Sequence, residues 1–431
     1  MPLRRVVGFA EALSINIGAI IGAGIFVISG LAAGIAGPAA IVAILLGAAI
    51  SILTGLSFVQ LSHFYSGEGG NYTYTKRVLG SYAASVFGMM FVAASVVGGA
   101  VVALSFGSYL VEITGASLFV PAVAVTLIAV LGIVNYVGVK SSARVSMVLT
   151  IIKLAVLAVF VLVGVFYIKP GNYVPFTPNG LGSLFEAAAF IFFAYTGFAR
   201  VTTLGEEVKN PKRTIPMAII WSIIISSVVY VLVMTVLIGM APYSAVSASQ
   251  APLEYAINIA THNALLSYII SIGALFATAN VALSMILGVS RVSFAMARDS
   301  ALPVALSRTN RFGAPGVSIV IPTILMMVVA LALDFKQIAS LSNATALLGY
   351  SVANIAAVML TLREKGSRRL FFRSRSFLFA PILGVVMCAS LIAFLTPFSL
   401  YILAAILAVI TAYYFIRRRL AVRGKGSSKG F

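Results

Sequence analysis

The sequence has few charged residues and very few acidic ones. Of its 431 residues, 9% are charged and only 10 are Asp or Glu, whereas 61% are hydrophobic and the mean hydropathy is +1.10. A soluble domain of this size needs a larger charged surface, so a soluble enzyme or binding domain is excluded. Apolar runs of about 20 residues recur along the chain, and this is the length of a membrane-spanning helix.

Residues that form disulfides, metal sites or acid–base pairs are also scarce. The single cysteine, Cys388, excludes a disulfide within the chain, and His63 and His262 fall near span ends. We therefore predict no cofactor and no metal site. No paired carboxylates occur within a span and no Gly-x-x-x-x-Gly-Lys-Ser/Thr loop is present, so the protein is predicted not to be an enzyme or an ATP-driven pump.

The excess of positive charge follows the membrane topology. The net charge of +19 would suit a nucleic-acid partner, but the basic residues cluster between alternate apolar runs. Only Lys169 and Lys336 fall on the opposite side. The positive-inside rule then predicts that both termini are cytoplasmic. We expect a multi-pass protein of the plasma membrane that is surrounded by lipid and has no nucleic-acid partner. The basic start resembles a signal peptide, but the apolar run after it is too long for one.

Run length predicts twelve helical spans, and the absence of two-residue alternation argues against barrel strands. No extramembrane domain is expected, because loops of about 20 residues are too short to build a separate core. The predicted spans are 8–35, 39–62, 81–111, 118–139, 143–168, 181–204, 215–240, 264–297, 316–334, 338–361, 377–396 and 398–416.

Two of these spans contain glycine where a lipid-facing helix has no need of it. Span one contains Gly18 to Phe26, with Gly22-Ala23-Gly24 at its centre, and span six contains Phe193 to Phe198. Small residues at this spacing also occur where helices pack closely, so packing is an alternative to ligand binding. Spans one and six cross in opposite directions, and paired interruptions in inverted halves indicate a transporter's midplane binding site. Half-helix ends offer N–H groups to an anion and carbonyls to a cation, which suits a zwitterion.

These motifs resemble those of the amino acid–polyamine–organocation transporters, in particular prokaryotic relatives of cationic amino acid transporters. The resemblance covers about residues 5 to 415. Besides the two interruptions it is carried by Gly67-Glu68-Gly69-Gly70, by Glu206 to Pro216, and by Ser290-Arg291 with Ala297-Arg298-Asp299 and Leu302-Pro303.

The resemblance implies an all-α membrane protein with a leucine-transporter-like, five-plus-five inverted repeat and broken helices 1 and 6. The transporter core would be residues 1–376, with repeats at about 8–168 and 181–361. Two peripheral spans would follow in 377–416, and residues 417–431 would form a basic cytoplasmic tail.

The resemblance also implies how a substrate amino acid is bound. Its carboxylate would contact backbone N–H groups at Gly22, Ala23 and Gly24. Its ammonium would contact the backbone carbonyls of Ile20, Phe193, Ala194 and Thr196. The Phe193 ring would cover the site on its outer side, although ordinary core packing would explain that ring as well.

The chain departs from the family pattern after the second interruption. Relatives often have an acidic residue two places after Gly197, whereas this chain has Ala199 followed by Arg200. The change puts a cationic substrate in doubt. Arg200 then has two possible placements: an ion pair with Glu206 or Glu207, or a side chain that extends to the cytoplasmic interface.

A lysine lies in the middle of span five. Lys153 is about nine residues past Arg144, or ~13 Å along a helix that rises 1.5 Å per residue, which places it near the midplane. An intramembrane lysine indicates function by default, although one bound by carbonyls for packing alone is the alternative. In sodium-independent relatives a lysine here resembles a built-in substitute for the coupling sodium ion. It would bind carbonyls near Gly22 and a hydroxyl of span eight such as Ser284.

We therefore predict a secondary transporter that moves amino acids with protons and without sodium, with Lys153 as the proton carrier. Exchange of amino acids or polyamines without proton coupling is the alternative. A channel is disfavoured because no repeated filter motif occurs. The sequence does not indicate whether the protein is a monomer or a homo-oligomer.

Overall fold

The computed structural model describes residues 5–22, 24–65, 69–114, 119–249, 251–332, 335–363, 378–393 and 397–427. Within these ranges the chain is helical, apart from loops and one isolated bridge between Val7 and Val208. The predicted all-α class is confirmed.

Sixteen α-helices are formed by the described residues. They are α1 (Phe9–Ile20), α2 (Ser29–Ala36), α3 (Ala40–Phe64), α4 (Asn71–Leu79), α5 (Ser81–Thr114), α6 (Val120–Val137), α7 (Val139–Gly164), α8 (Gly180–Tyr195), α9 (Pro211–Met240), α10 (Tyr243–Ala248), α11 (Pro252–Thr261), α12 (Ala264–Arg298), α13 (Gly316–Ala332), α14 (Phe335–Arg363), α15 (Phe379–Ala393) and α16 (Pro397–Ser427).

Length and composition make many of these helices suitable for crossing a membrane. Eight stretches of the described residues qualify, and the longest, Phe9–Phe64, contains the first two predicted spans. Three shorter apolar helices, α8, α13 and α15, coincide with predicted spans six, nine and eleven. The number of crossings and the inverted repeat stay predictions.

The distribution of polar and apolar side chains is that of a protein in lipid. Large apolar residues point outward, such as Leu162 at 67% exposure and Ile133 at 65%. Polar residues such as Asn16 and Asn280 are fully buried. An apolar surface of this kind is unfavourable in water but suits a hydrocarbon environment.

The centre of the bundle is α12, which packs against α1, α5, α6, α7 and α13. Its start is fixed locally, because the Asn263 side chain accepts hydrogen bonds from the backbone N–H groups of Leu265 and Leu266 at 3.0 and 3.3 Å. The first interruption meets α12 at Gly22, where a Cβ atom would lie 2.2 Å from the side chain of Val281. The 3₁₀ turn Arg200–Thr203, which follows α8, contacts both α1 and α12.

Both runs that were predicted to be interrupted are interrupted. In the first, α1 ends at Ile20, and the chain resumes helical structure as a π-type turn, Gly24–Ile28, that continues into α2. In the second, α8 ends at Tyr195 and is followed by the 3₁₀ turn Arg200–Thr203. The interruptions give the chain irregular backbone inside the bundle, which is tolerated where protein encloses it.

The loop after the second interruption is tied to α12 by a buried ion pair. Arg291 Nε and Nη2 donate to the two carboxylate oxygens of Glu207, each at 3.2 Å, and neither side chain is more than 3% exposed. A neighbouring pair, Arg298 with Glu206 at 3.0 Å, has side-chain exposures of 46% and 27%. Both ion pairs therefore join the loop after the second interruption to α12, but one pair is buried and the other is partly exposed to solvent.

Removing the buried arginine should destabilise the protein far more than removing the exposed one. Arg291→Gln leaves the Glu207 carboxylate buried without its cation, which we expect to cost about 3–5 kcal/mol. The matched control Arg298→Gln should cost about 0–1 kcal/mol, because water screens its partner. Thermal unfolding midpoints of the purified variants in detergent measure the difference. Equal midpoints for the two variants would show that the buried pair has no special structural role.

Candidate functional site

The two interrupted segments are in direct contact, and a glycine makes each contact possible. A Cβ atom on Gly24 would lie 2.4 Å from both Cα and Cβ of Ala194. Gly197 has φ +117°, and a Cβ there would lie 2.7 to 2.9 Å from Ala19 atoms that include its backbone carbonyl. Real Cβ atoms do not approach other atoms this closely, so each interruption fits against the opposite segment only without a side chain.

The end of α1 leaves backbone carbonyls without helical partners. Side chains from two other helices supply the missing donors. Lys153 Nζ, on α7, donates to the Gly18 carbonyl at 2.9 Å and also to the Ile21 carbonyl. The Tyr230 hydroxyl, on α9, lies 2.8 Å from the Ile20 carbonyl.

Lys153 is fully buried, with 0% of its surface exposed. No ion pair of Lys153 is found among the residues that the structure describes. Its ammonium is instead placed at the carbonyl end of α1, where the helix dipole is negative. The attraction between the ammonium and the negative end of the helix dipole therefore offsets part of the free-energy cost of burying this charge.

Tyr230 connects the two interruptions. Its hydroxyl is also 2.9 Å from the Ala194 carbonyl, so Ile20 and Ala194 share one O–H group. A hydroxyl has one proton and donates fully to only one of them at a time. Sequence reasoning missed this residue, although a tyrosine in the middle of an apolar span is the signal that would have drawn attention to it.

The other predicted substrate-contacting residues lie at the same place. Gly22 and Gly24 are buried in the first interruption, while Ala23 lies outside the described residues. The Phe193 carbonyl already accepts two hydrogen bonds from Thr196, from its backbone N–H at 3.1 Å and from its hydroxyl at 2.7 Å. The structure thus brings the predicted residues of spans one and six together, and their binding roles stay predictions.

Ser284 is buried on α12 but does not join the Lys153 cluster. Its hydroxyl has no hydrogen-bond partner among the described residues, so the expected Lys153–Ser284 hydrogen bond is not formed in this structure. Lys153 is drawn instead to the carbonyls at the end of α1. One turn earlier on α12, Asn280 makes the contact with α7: its side-chain amide donates to the Ser146 carbonyl at 3.1 Å and to the Thr150 hydroxyl at 2.9 Å.

Arg200 neither pairs with Glu206 or Glu207 nor extends to the cytoplasmic interface, so both expectations for it are wrong. Glu206 pairs with Arg298 and Glu207 with Arg291, whereas Arg200 is only 6% exposed. Its Nη2 group lies 3.0 Å from the sulfur of Met285. The physical reason is that the 3₁₀ turn holds Arg200 against α12 inside the bundle, away from both carboxylates.

Arg200 lines a small cavity beside the second interruption. The cavity has a volume of about 50 Å³. Thr196 and Gly197 form one wall of it, and the Tyr350 hydroxyl accepts a hydrogen bond from the Gly197 N–H at 3.2 Å. Phe91 and Met285, which lie next to the guanidinium, are also among the lining residues. The predicted substrate segment and the buried arginine therefore face a common space.

Known proteins similar to this chain are membrane transporters. The methylthioribose transporter of Bacillus subtilis is 30% identical over 97% of this chain and 94% of its own length. The branched-chain amino acid permease of the same organism is 28% identical over 90% of this chain and 88% of its own length. The chloroplastic cationic amino acid transporter 9 of Arabidopsis thaliana is 32% identical over 72% of this chain and 58% of its own length.

The family model for amino acid permeases matches residues 11–422, which is nearly the whole chain and includes both interruptions, Lys153 and Arg200. Apolar helices, paired interruptions and this match agree, and the resemblance to the amino acid–polyamine–organocation transporters is confirmed. The chain belongs to the amino acid permease family and is a multi-pass membrane transporter, not an enzyme.

Proposed function

We propose that the protein carries an amino acid across the plasma membrane by sodium-independent symport with protons, and that Lys153 is the proton carrier. The observation that supports this proposal is the fully buried Lys153 ammonium, hydrogen-bonded to the Gly18 and Ile21 carbonyls where α1 ends. A cation at this point fixes the conformation of the first interruption. A proton on the lysine then controls the segment that would bind the substrate.

The substrate would bind between the two interruptions. The N–H groups around Gly22, Ala23 and Gly24 would receive its carboxylate, at the start of the helical segment that leads into α2. Its ammonium would compete with Tyr230 for the Ile20 and Ala194 carbonyls, because these two acceptors share a single hydroxyl proton. The Phe193 carbonyl is the weaker candidate, since Thr196 already donates to it twice.

Proton transfer would couple to the substrate through the hydrogen bonds of Lys153. As an ammonium, the side chain offers three charge-assisted donors to the end of α1. Loss of one proton leaves a neutral amine, which no longer interacts favourably with the negative end of the helix dipole. The first interruption is then released. Because Lys153 would take its proton from outside and release it to the cytoplasm, one proton would cross with the amino acid.

We further propose the membrane arrangement that the sequence predicts. The chain would cross the plasma membrane twelve times, with two inverted repeats of five spans and both termini in the cytoplasm. The asymmetry of the basic residues supports this orientation.

Replacing Lys153 should uncouple transport from protons. Uptake of a radiolabelled amino acid into proteoliposomes should respond to an imposed pH gradient in the absence of sodium. Lys153→Ala should remove that response, whereas Lys140→Ala, an exposed lysine at the start of the same helix, should leave it unchanged. The amount of folded variant is measured by size-exclusion chromatography. A sodium requirement in the wild type, or a full proton response in folded Lys153→Ala, would reject the mechanism. Uptake that occurs only against internal amino acid would indicate exchange.

Blocking the first interruption should abolish substrate binding. In Gly24→Leu, atoms beyond Cβ add to a clash with the Ala194 backbone that Cβ alone already causes, so the two interruptions separate. Binding is measured by the substrate-induced thermal shift. Amino acid methyl esters, which lack the carboxylate, test the same site in the wild type and should give a much smaller shift than the free acids. Normal binding by folded Gly24→Leu, or equal shifts for ester and acid, would place the substrate elsewhere.

The proposed topology can be tested by cysteine labelling in a Cys388→Ser background. With both termini cytoplasmic, Lys425→Cys should react with a membrane-impermeant maleimide only after the cells are opened. Asn172→Cys, in the loop between α7 and α8, should react in intact cells. The opposite result at either position would overturn the orientation.

A further inference from the structure

Arg200 is a buried cation that lacks an anionic partner in the described part of the chain. Its Nη2 faces the Met285 sulfur, and its Cζ lies 5.2 Å from the centre of the Phe91 ring. Neither Nε nor Nη1 has a hydrogen-bond partner among the described residues. A thioether is a weak acceptor, and an aromatic face is a partial substitute for a carboxylate at best. A guanidinium in this situation favours the binding of an anion.

The surrounding helices leave room for the guanidinium. A Cβ atom on Gly288, in α12, would lie 2.2 Å from Arg200 Nη1 and 2.7 Å from Cδ, so an alanine there would displace the side chain. On the other side Arg200 lines the cavity of about 50 Å³ that Thr196 and Gly197 also line. The arginine thus has a defined position and faces the segment that would bind the substrate's ammonium.

We propose that Arg200 binds a carboxylate on the side chain of the transported amino acid, and that the preferred substrates are therefore acidic amino acids. This inference rests on the proposed function, because it requires the substrate to lie at the second interruption. The Nε–H and Nη1–H groups would donate charge-assisted hydrogen bonds to the side-chain carboxylate. The same site would disfavour a cationic side chain through charge repulsion, in agreement with the missing acid at Ala199.

Two other anions could satisfy the same guanidinium. One is a small inorganic ion such as chloride. The other is Glu68, which lies outside the described residues and precedes Gly69, itself part of the lining of an adjoining cavity with Arg200. A substrate carboxylate is favoured because Arg200 shares its cavity with Thr196 and Gly197, which belong to the proposed substrate segment.

The decisive comparison uses pairs of amino acids that differ only in the charge of the side chain. Thermal shift of the purified full chain in chloride-free HEPES buffer measures the binding of each amino acid. The pairs are glutamate with glutamine and aspartate with asparagine, and leucine is measured beside them. We expect at least one acid to bind about ten- to a hundredfold more tightly than its amide, the range given by one charge-assisted hydrogen bond. This arm needs no variant and so does not depend on a variant's folding.

Variants then assign the preference to Arg200. Arg200→Gln should lose the preference for the acid and keep its affinity for the amide, and Arg200→Lys should retain part of it. Gly288→Ala should weaken acid binding by displacing the guanidinium, whereas Gly182→Ala, a glycine with no close neighbour, should not. Uptake of labelled glutamate and leucine into proteoliposomes tests whether the bound acid is also transported.

Several outcomes would overturn the inference. Leucine bound and transported in preference to the acids, with Arg200→Gln unchanged, would leave amino acid transport intact and remove Arg200 from recognition. A thermal shift caused by chloride in the wild type but not in Arg200→Gln, without an acid preference, would identify an inorganic anion. An acid preference that appears only in Glu68→Gln would identify Glu68 as the partner. Failure to bind or transport any amino acid would instead reject the proposed function itself.

Discussion

The structure depends on the close approach of two interrupted helices. Gly24 lies against Ala194, and Gly197 lies against Ala19, so each segment supplies the glycine that lets the other come near. Such an approach exposes the backbone of both segments to each other and to side chains from neighbouring helices. The backbone carbonyls at the interruptions can bind the side chains of other helices for this reason. In continuous helices the same carbonyls would have been occupied by internal hydrogen bonds.

Three buried cations in the described part of the chain are accommodated in three different ways. Arg291 has a carboxylate, Glu207, and so acts as a structural connection between a loop and α12. Lys153 has the carbonyls at the end of α1, whose dipole compensates its charge only in part. Arg200 has a thioether and an aromatic ring. The less complete the compensation, the more strongly a buried cation favours an additional partner, and we proposed functional roles for Lys153 and Arg200 on this ground.

In the proposed mechanism, the same arrangement would let the proton on Lys153 and the bound substrate affect one another without direct contact. Lys153 binds the carbonyls of Gly18 and Ile21, and Tyr230 binds that of Ile20 between them. Tyr230 in turn reaches Ala194 in the second interruption. A change in the charge of Lys153 and the arrival of an ammonium group at Ile20 and Ala194 would therefore act on the same short segment of backbone.

Much of the fold and part of the site could be predicted from the sequence. Apolar runs of spanning length gave the helices, and glycine in the middle of two such runs marked Gly24 and Gly197. Counting residues from Arg144 placed Lys153 deep in its helix. These features are local, since they depend on composition and on the fixed rise of a helix per residue.

The contacts of the side chains were decided by the tertiary structure. The sequence did not show that Tyr230 connects the two interruptions, that Asn280 rather than Ser284 forms hydrogen bonds with α7, or that Arg200 lies away from Glu206 and Glu207. Each of these depends on how a helix is rotated about its axis and on which neighbour it meets. A shift of one turn changes the partner while leaving composition and span length unchanged. The sequence by itself determined the apolar helices and the positions of the two interruptions, because these depend on local composition, and only packing decided which groups meet there.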